Sequence, residues 1–193
     1  IKLAENLKHQ GYRFHLHMVG GGELENELKQ QANRKNLEKE ITFYGFLKPE
    51  KVRTIMEKCH IHLFTSNYLE GWGAVVNEGM NSGCVEVANV EVGAAPFLIK
   101  HGVNGLVYKD GSYDDMEQQV KFLLDNPQKA AIMGMEAHKT IAKEWNAKEA
   151  AVRLLQFYEE WKEGNIELPK EGPFSVAPVI APKKMYDYMT KNV

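Results

Sequence analysis

The feature that most constrains the fold is an alternation of short β-rich runs with helical stretches, sustained from the first residues to Val107. Residues 1–10 place Leu3, Ala4 and Leu7 at helical spacing, and Gly11 stops the pattern. Residues 13–19 form a β-rich run ending in Gly20, Gly21 and Gly22, after which Leu24, Leu28 and Ala32 mark a helix. Residues 41–44 read as a second strand, 49–58 as a helix entered through Pro49, and 61–65 as a third strand. Gly71 and Gly73 introduce a helix to about Asn81, 85–88 form another strand, and Asn104 with Gly105 predicts a tight turn before Leu106 and Val107. Short strands separated by helices predict an α/β fold: a parallel, doubly wound sheet covered on both faces, with ligands at the carboxyl ends of the strands.

From Tyr113 onward the pattern is helical, over 113–126, 127–141 and 147–164. Pro169, Pro173, Pro178 and Pro182 then hold four of the seven prolines, which predicts an extended surface segment over 166–182. A last short helix over 183–191 is expected to turn Met185, Tyr188 and Met189 to one face. The chain is therefore read as one α/β domain over 1–164 followed by a proline-rich tail and short C-terminal helix over 165–193.

Composition excludes several classes. With 24 lysines and arginines against 26 acids, the net charge of -2 supplies no field to collect nucleic acid. No apolar run reaches the ~20 residues that span a bilayer, and residues 1–5 lack a signal peptide's apolar stretch, so a cytoplasmic location is expected. Cys59 and Cys84 have no paired or metal-ligand spacing and read as buried structural thiols of a reducing compartment.

Three patterns are candidates for chemistry. The glycines at 20–22 resemble a dinucleotide fingerprint, but Glu25 stands at its third glycine, and Glu23 and Glu25 put negative charge where a pyrophosphate needs the positive helix end. A tight strand-to-helix turn is the expected role. His15 with His17, and His60 with His62 beside Cys59, alternate as metal ligands on a strand would, yet strand alternation alone produces the same pattern, and they read as structural. No metal site is expected.

The third pattern is the stretch 65–80. Gly71 and Gly73 let the backbone approach a ligand, and the helix behind them aims free N–H groups and a positive dipole end at it, an arrangement suited to phosphate. Glu70 stands just before this turn and Glu78 about one turn into the helix. Carboxylates accept hydrogen bonds from hydroxyl pairs, so a diphosphate with a sugar at each end would satisfy glutamate, amides and glutamate together.

In these residues the chain resembles the retaining glycosyltransferases of GT-B architecture, in the large group often called family 4. Glu70 and Glu78 match the family's pair of glutamates with seven residues between them, and Gly71, Glu78, Met80 and Gly83 fall where its pattern expects them. Gly93, Pro96, Ile99, Gly102, Asn104, Gly105, Leu106 and Val107 look like its following glycine-rich run, and Thr42, Phe43 and Gly45 like its strand and turn beside the nucleotide base. The resemblance implies the C-terminal, Rossmann-like donor half of such an enzyme, which transfers sugar from a nucleoside diphosphate to a saccharide or lipid-linked acceptor. It assigns Glu78 to the ribose, Glu70 to the transferred sugar as the catalytic-site carboxylate, and Gly73, Ala74 and Val75 to sugar and phosphate through their amides. Gly71 and Trp72 complete the donor loop, and Tyr44, Gly45 and Phe46 fall beside the base. No cofactor and no metal is implied. Rival readings are a nucleotide-sugar epimerase and a non-catalytic binding or scaffold module of the same fold.

The chain departs from the family in specific places. Gly79 replaces a usual alanine, Val85 and Glu86 replace proline-valine, Phe97 stands where many members carry glutamate, and Glu91 adds charge nearby. The family's arginine and lysine lie in a strand and turn ahead of the domain's first helix, and this sequence starts within that helix. The expectation is thus a domain without its first strand, inactive alone, whose acceptor site and any membrane association belong to a missing N-terminal domain.

Overall fold

A computed structural model of the chain describes residues 1–177 and 179–191 and divides it into two compact units, Ile1–Lys58 and Cys59–Val193. In the first unit, β1 (Leu16–Val19) and β2 (Ile41–Gly45) pair in parallel, with Leu16 opposite Ile41 and a register shift between Met18 and Val19. Parallel neighbours need a crossover, and α2 (Glu25–Arg34) supplies it; α1 (Lys2–His9) precedes β1 and α3 (Pro49–Met56), opened by its proline, follows β2. Ala4, Ala32, Leu37 and Ile41 are buried together, with Phe14, Leu16, Met18 and Phe43 packed against them. The strand's period of two then puts His15 and His17 opposite Leu16 and Met18, where they meet Thr42 Oγ1 at 2.8 Å and the Tyr44 hydroxyl at 2.9 Å. The strand expected from residue 13 begins only at Leu16, because its partner strand begins at Ile41.

The second unit is built on a parallel three-stranded sheet in the order β3 (Ile61–Phe64), β4 (Val85–Asn89), β5 (Gly105–Tyr108). All five residues of β4 are buried, as befits a central strand covered on both faces. α4 (Ala74–Asn81) and α7 (Pro127–Lys143) pack on each other and on β4, while α6 (Tyr113–Asp125) lies against β4 and β5. α7 comes close because its Gly134 has no side chain: a Cβ there would fall 2.4 Å from the Gly83 carbonyl oxygen. Ser112 caps α6 and Asn146 caps α8 (Ala147–Glu163) by accepting hydrogen bonds from Asp115 and Glu149 N–H.

Several expectations need correction. α5 (Ala95–Leu98), a single turn opened by Pro96, was too short to leave a periodic signal. The turn near Asn104 covers residues 102–104, and Gly105 already belongs to β5. Asn104 itself is buried, not a surface turn residue. On α9 (Pro182–Thr190), Met185 and Met189 pack toward the core as expected, but Tyr186 joins them and Tyr188 is exposed. Tyr186 and Tyr188 flank the Met185–Met189 line on opposite sides at equal helical angles, so spacing alone does not choose between them. Cys84 is buried with its thiol 3.5 Å from the Cys59 carbonyl, whereas Cys59 is only half-buried. Residues 165–181 contain no helix or strand among those described; Pro178 lies outside the described residues.

Candidate functional site

The loop between β3 and α4 leaves the carboxyl end of β3, the location expected for a ligand loop in a parallel sheet. Asn67 shapes its start: its side-chain oxygen accepts from Leu69 N–H at 3.1 Å and its carbonyl from Glu70 N–H at 2.9 Å. Gly73 then adopts a left-handed conformation (φ 84°) and caps α4. A Cβ on Gly73 would meet Phe64 Cε1 at 2.9 Å, Val92 Cγ1 at 3.0 Å and Glu70 Cγ at 3.4 Å, so both the torsion and the space call for glycine. Gly71 has open space around it, although its carbonyl oxygen is pressed against Gly93.

Because the cap residue has no side chain, none covers the first-turn N–H groups of α4, and that turn carries no acidic residue. Val76 N–H bonds the Gly73 carbonyl at 2.9 Å. The remaining first-turn amides, those of Ala74 and Val75, lie where the helix dipole adds positive potential. Glu70 is half-buried beside Gly73, and Glu78 is exposed on the same helix. The structure therefore joins Glu70, Gly71, Trp72, Gly73, Ala74, Val75 and Glu78 into one continuous loop and helix.

Trp72 is held from two sides. Its indole N–H donates to Asn77 Oδ1 at 2.8 Å, and its ring packs on Phe97 and Trp145 with centroids 5.5 and 5.7 Å away. Its carbonyl accepts from Ala94 N–H at 2.8 Å, tying the loop to the segment before α5. Phe97, which stands where a glutamate is common in the resembled family, thus serves as an aromatic wall for the loop.

Beneath α4 lies an arrangement that sequence reasoning did not assemble. His62 Nδ1 donates to both Glu86 oxygens, at 2.9 and 2.8 Å, and Glu86 has no exposed surface. Burial pushes the Glu86 carboxyl up to about 7, with His62 working against that shift. Burial also pulls the His62 ring down, but the hydrogen bond and charge of Glu86, with the charge of Glu78, outweigh it and raise the ring. The signal was present in the coincidence of Gly79 and Glu86, two departures from the family pattern that prove to touch: a Cβ on Gly79 would fall 2.0 Å from Glu86 Oε1.

In the first unit, Tyr44, Gly45 and Phe46 end β2. Gly45 has φ 63° and accepts from Gly20 N–H at 2.8 Å. Phe46 is 83% exposed, its ring lying over Gly21, where a Cβ would be 2.9 Å from Cε2. The triple glycine thus makes a tight turn against an aromatic ring. Among the described residues no group of three or more histidine, cysteine or carboxylate side chains is placed to hold a metal ion, and no helix is long and apolar enough to cross a membrane.

Residues 1–140 match the family model described as glycosyl transferases group 1. The chain belongs to that family. The putative glycosyltransferase EpsF of Bacillus subtilis is 34% identical over 83 residues, covering 43% of this chain and 21% of the relative. The poly(ribitol-phosphate) α-N-acetylglucosaminyltransferase of Staphylococcus aureus is 25% identical over 160 residues, covering 82% of this chain and 31% of its own length. This group 1 chain thus spans a fifth to a third of the curated relatives it matches. The Anabaena HepE structure in complex with UDP superposes with a TM-score of 0.67 at 24% identity, over 84% of this chain and 44% of that one. The fold expected from the resemblance, parallel sheets with helices on both sides as in GT-B glycosyltransferases, is the fold observed.

Proposed function

We propose that this chain binds a nucleoside diphosphate sugar and that the protein it represents is a retaining glycosyltransferase acting on a saccharide or lipid-linked acceptor. The observation that carries the reading is the N-terminus of α4, where left-handed Gly73 exposes the first-turn amides with Glu70 beside them. The amides of Gly73, Ala74 and Val75 take the diphosphate and sugar, Glu70 the hydroxyls of the transferred sugar, and Glu78 those of the ribose. As the glycosidic bond to the diphosphate breaks, negative charge grows on the leaving oxygen, and fixed N–H dipoles stabilise it without reorganising. This requires no metal. Support comes from the family match, from a relative named for transferring N-acetylglucosamine, and from a structural neighbour solved with UDP.

The test is calorimetric titration with UDP, GDP, ADP and their sugar conjugates, repeated on Glu78→Ala. One nucleotide is expected to bind and the substitution to abolish it. If none binds while circular dichroism reports an intact fold, the donor reading fails and a non-catalytic scaffold module takes its place.

A further inference from the structure

β3 turns two rings, His62 and Phe64, to the side of the sheet covered by α4. The rings stack at 6.1 Å between centroids with 21° between planes. Each supports a different part of the helix. Phe64 lies under Gly73, 2.9 Å from where a Cβ would be, and so underlies the N-terminus. His62 lies under Gly79, its Nδ1 2.9 Å and its Cγ 3.1 Å from the corresponding point, next to Glu78 in the chain. Its Nδ1–H is held by both oxygens of Glu86, which comes from the fully buried central strand. When Glu86 ionises, the His62 ring is the hydrogen-bond donor that balances its buried charge. Gly79 is what lets the pair fit beneath the helix.

We propose that His62 is a positioning residue for Glu78, its proton fixed by Glu86 from below, and that donor binding depends on this ring staying protonated. The proposal rests on the donor reading given above. An imidazolium under Gly79, the residue that follows Glu78, adds positive charge on the side of the helix that holds that carboxylate and an anionic ligand. Loss of the proton leaves the buried Glu86 carboxylate unbalanced and places like charges together. The other titratable groups bearing on the pair are Glu78 of α4 and the thiols of Cys59 and Cys84 ahead of β3 and β4; β5 presents Gly105. Burial and Glu86 push the Cys84 thiol up to about 12, so it stays neutral through the relevant range.

The test uses UDP-, GDP- and ADP-glucose, whose diphosphates carry no proton that titrates near neutrality, at about pH 6 and about pH 8.5. The chain, Glu86→Gln, His62→Gln and Glu78→Ala are compared, and the His62 ring is followed by NMR. In the unsubstituted chain, affinity is expected to fall about tenfold across that interval, the effect of one proton-linkage unit. Glu86→Gln and His62→Gln are expected to bind weakly with a flat profile. Donor addition should let the His62 ring keep its proton to higher pH, as reciprocal linkage requires. A merely structural pair would change none of these profiles. Binding that Glu78→Ala abolishes, but whose pH slope is the same in the chain and in Glu86→Gln, overturns the positioning role and leaves the donor reading standing. Absence of binding by all three sugars at both pH values overturns the donor reading, and the role of the pair in donor binding with it.

Discussion

The backbones of Gly71 and Gly93 meet so closely that a Cβ on Gly93 would lie 1.8 Å from the Gly71 carbonyl oxygen. The obstruction is backbone, which has no rotamer to yield. Gly93→Ala is therefore expected to lower unfolding stability by about 3 kcal/mol or more, or to displace the loop between β3 and α4. Gly71→Ala meets open space and is expected to stay within about 0.5 kcal/mol of the unsubstituted chain. Urea denaturation of both variants checks the contrast; equal losses would mean that the loop, not the contact, is sensitive.

A second relationship binds two sequence departures together. Gly79→Ala places its methyl carbon 2.0 Å from Glu86 Oε1 and 2.9 Å from His62 Nδ1, and Glu86 has no exposed surface to retreat into. It is expected to cost about 2 kcal/mol or more alone. Glu86→Val alone deprives His62 of its partner and leaves a space beside Gly79, at a cost of about 1–3 kcal/mol. Combined, the methyl fills what the carboxylate vacated, so the double variant should be more stable than the sum of the single losses by at least about 1 kcal/mol. Denaturation midpoints of the four proteins close this cycle, and strict additivity would show that Gly79 and Glu86 are independent.

Much of this was legible because it depends on chain-local rules. The helices over 113–125 and 127–143 and the strands at 41–45 and 85–89 follow from periodicity and from Pro127 at a first helical position. The glycine loop that opens α4 was readable too, since Gly71, Gly73 and the glutamates are close in sequence. What was not readable depends on packing between distant segments. His62 and Glu86 are 24 residues apart, and nothing local marks them as partners. Likewise Phe97 and Trp145 become neighbours of Trp72 only when α5 and the end of α7 reach the loop. Tyr186 replaced Tyr188 on the inner face of α9 because which face turns inward is set by β5 and not by the helix itself.

The His62–Glu86 pair makes stability depend on pH, with a sign that follows from the directions of both shifts. Glu86 is raised from its ordinary 4.5 to about 7, so the folded chain binds this proton more tightly than the unfolded one. His62 is also raised above its ordinary value, with the same consequence. A raised group contributes fully below its unfolded pKa and loses that contribution as pH climbs through the folded one. Through this pair, stability should fall as pH rises from about 5 to about 8. The Glu86→Gln variant should show a shallower fall over the same window. Thermal unfolding at successive pH values measures both slopes; a stability that rises in the unsubstituted chain relative to Glu86→Gln would contradict the assignment.

Asn104 offers the last test, since the sequence suggested a turn residue and the fold uses it as a clamp. It is 2% exposed, and its side-chain oxygen accepts from Lys100 N–H at 2.7 Å while its amide donates to the Leu98 carbonyl and to Thr140 Oγ1, each at 3.0 Å. The end of α5, the start of β5 and the last turn of α7 are thereby joined through one side chain. Asn104→Ala removes all three bonds and takes the side-chain donor from the buried Leu98 carbonyl, at an expected cost of about 2–4 kcal/mol. Thr140→Ala takes away one of the three bonds of Asn104, together with the bond from Oγ1 to the Glu136 carbonyl within its own helix, and leaves the other two clamp bonds in place, so its loss should be nearer 1 kcal/mol. Asn104→Asp separates geometry from charge: it keeps the acceptor for Lys100 N–H but aims a carboxylate at the Leu98 carbonyl. If the clamp matters through its amide, Asn104→Asp should be as damaging as Asn104→Ala at neutral pH and recover in acid, where its protonated carboxyl donates again.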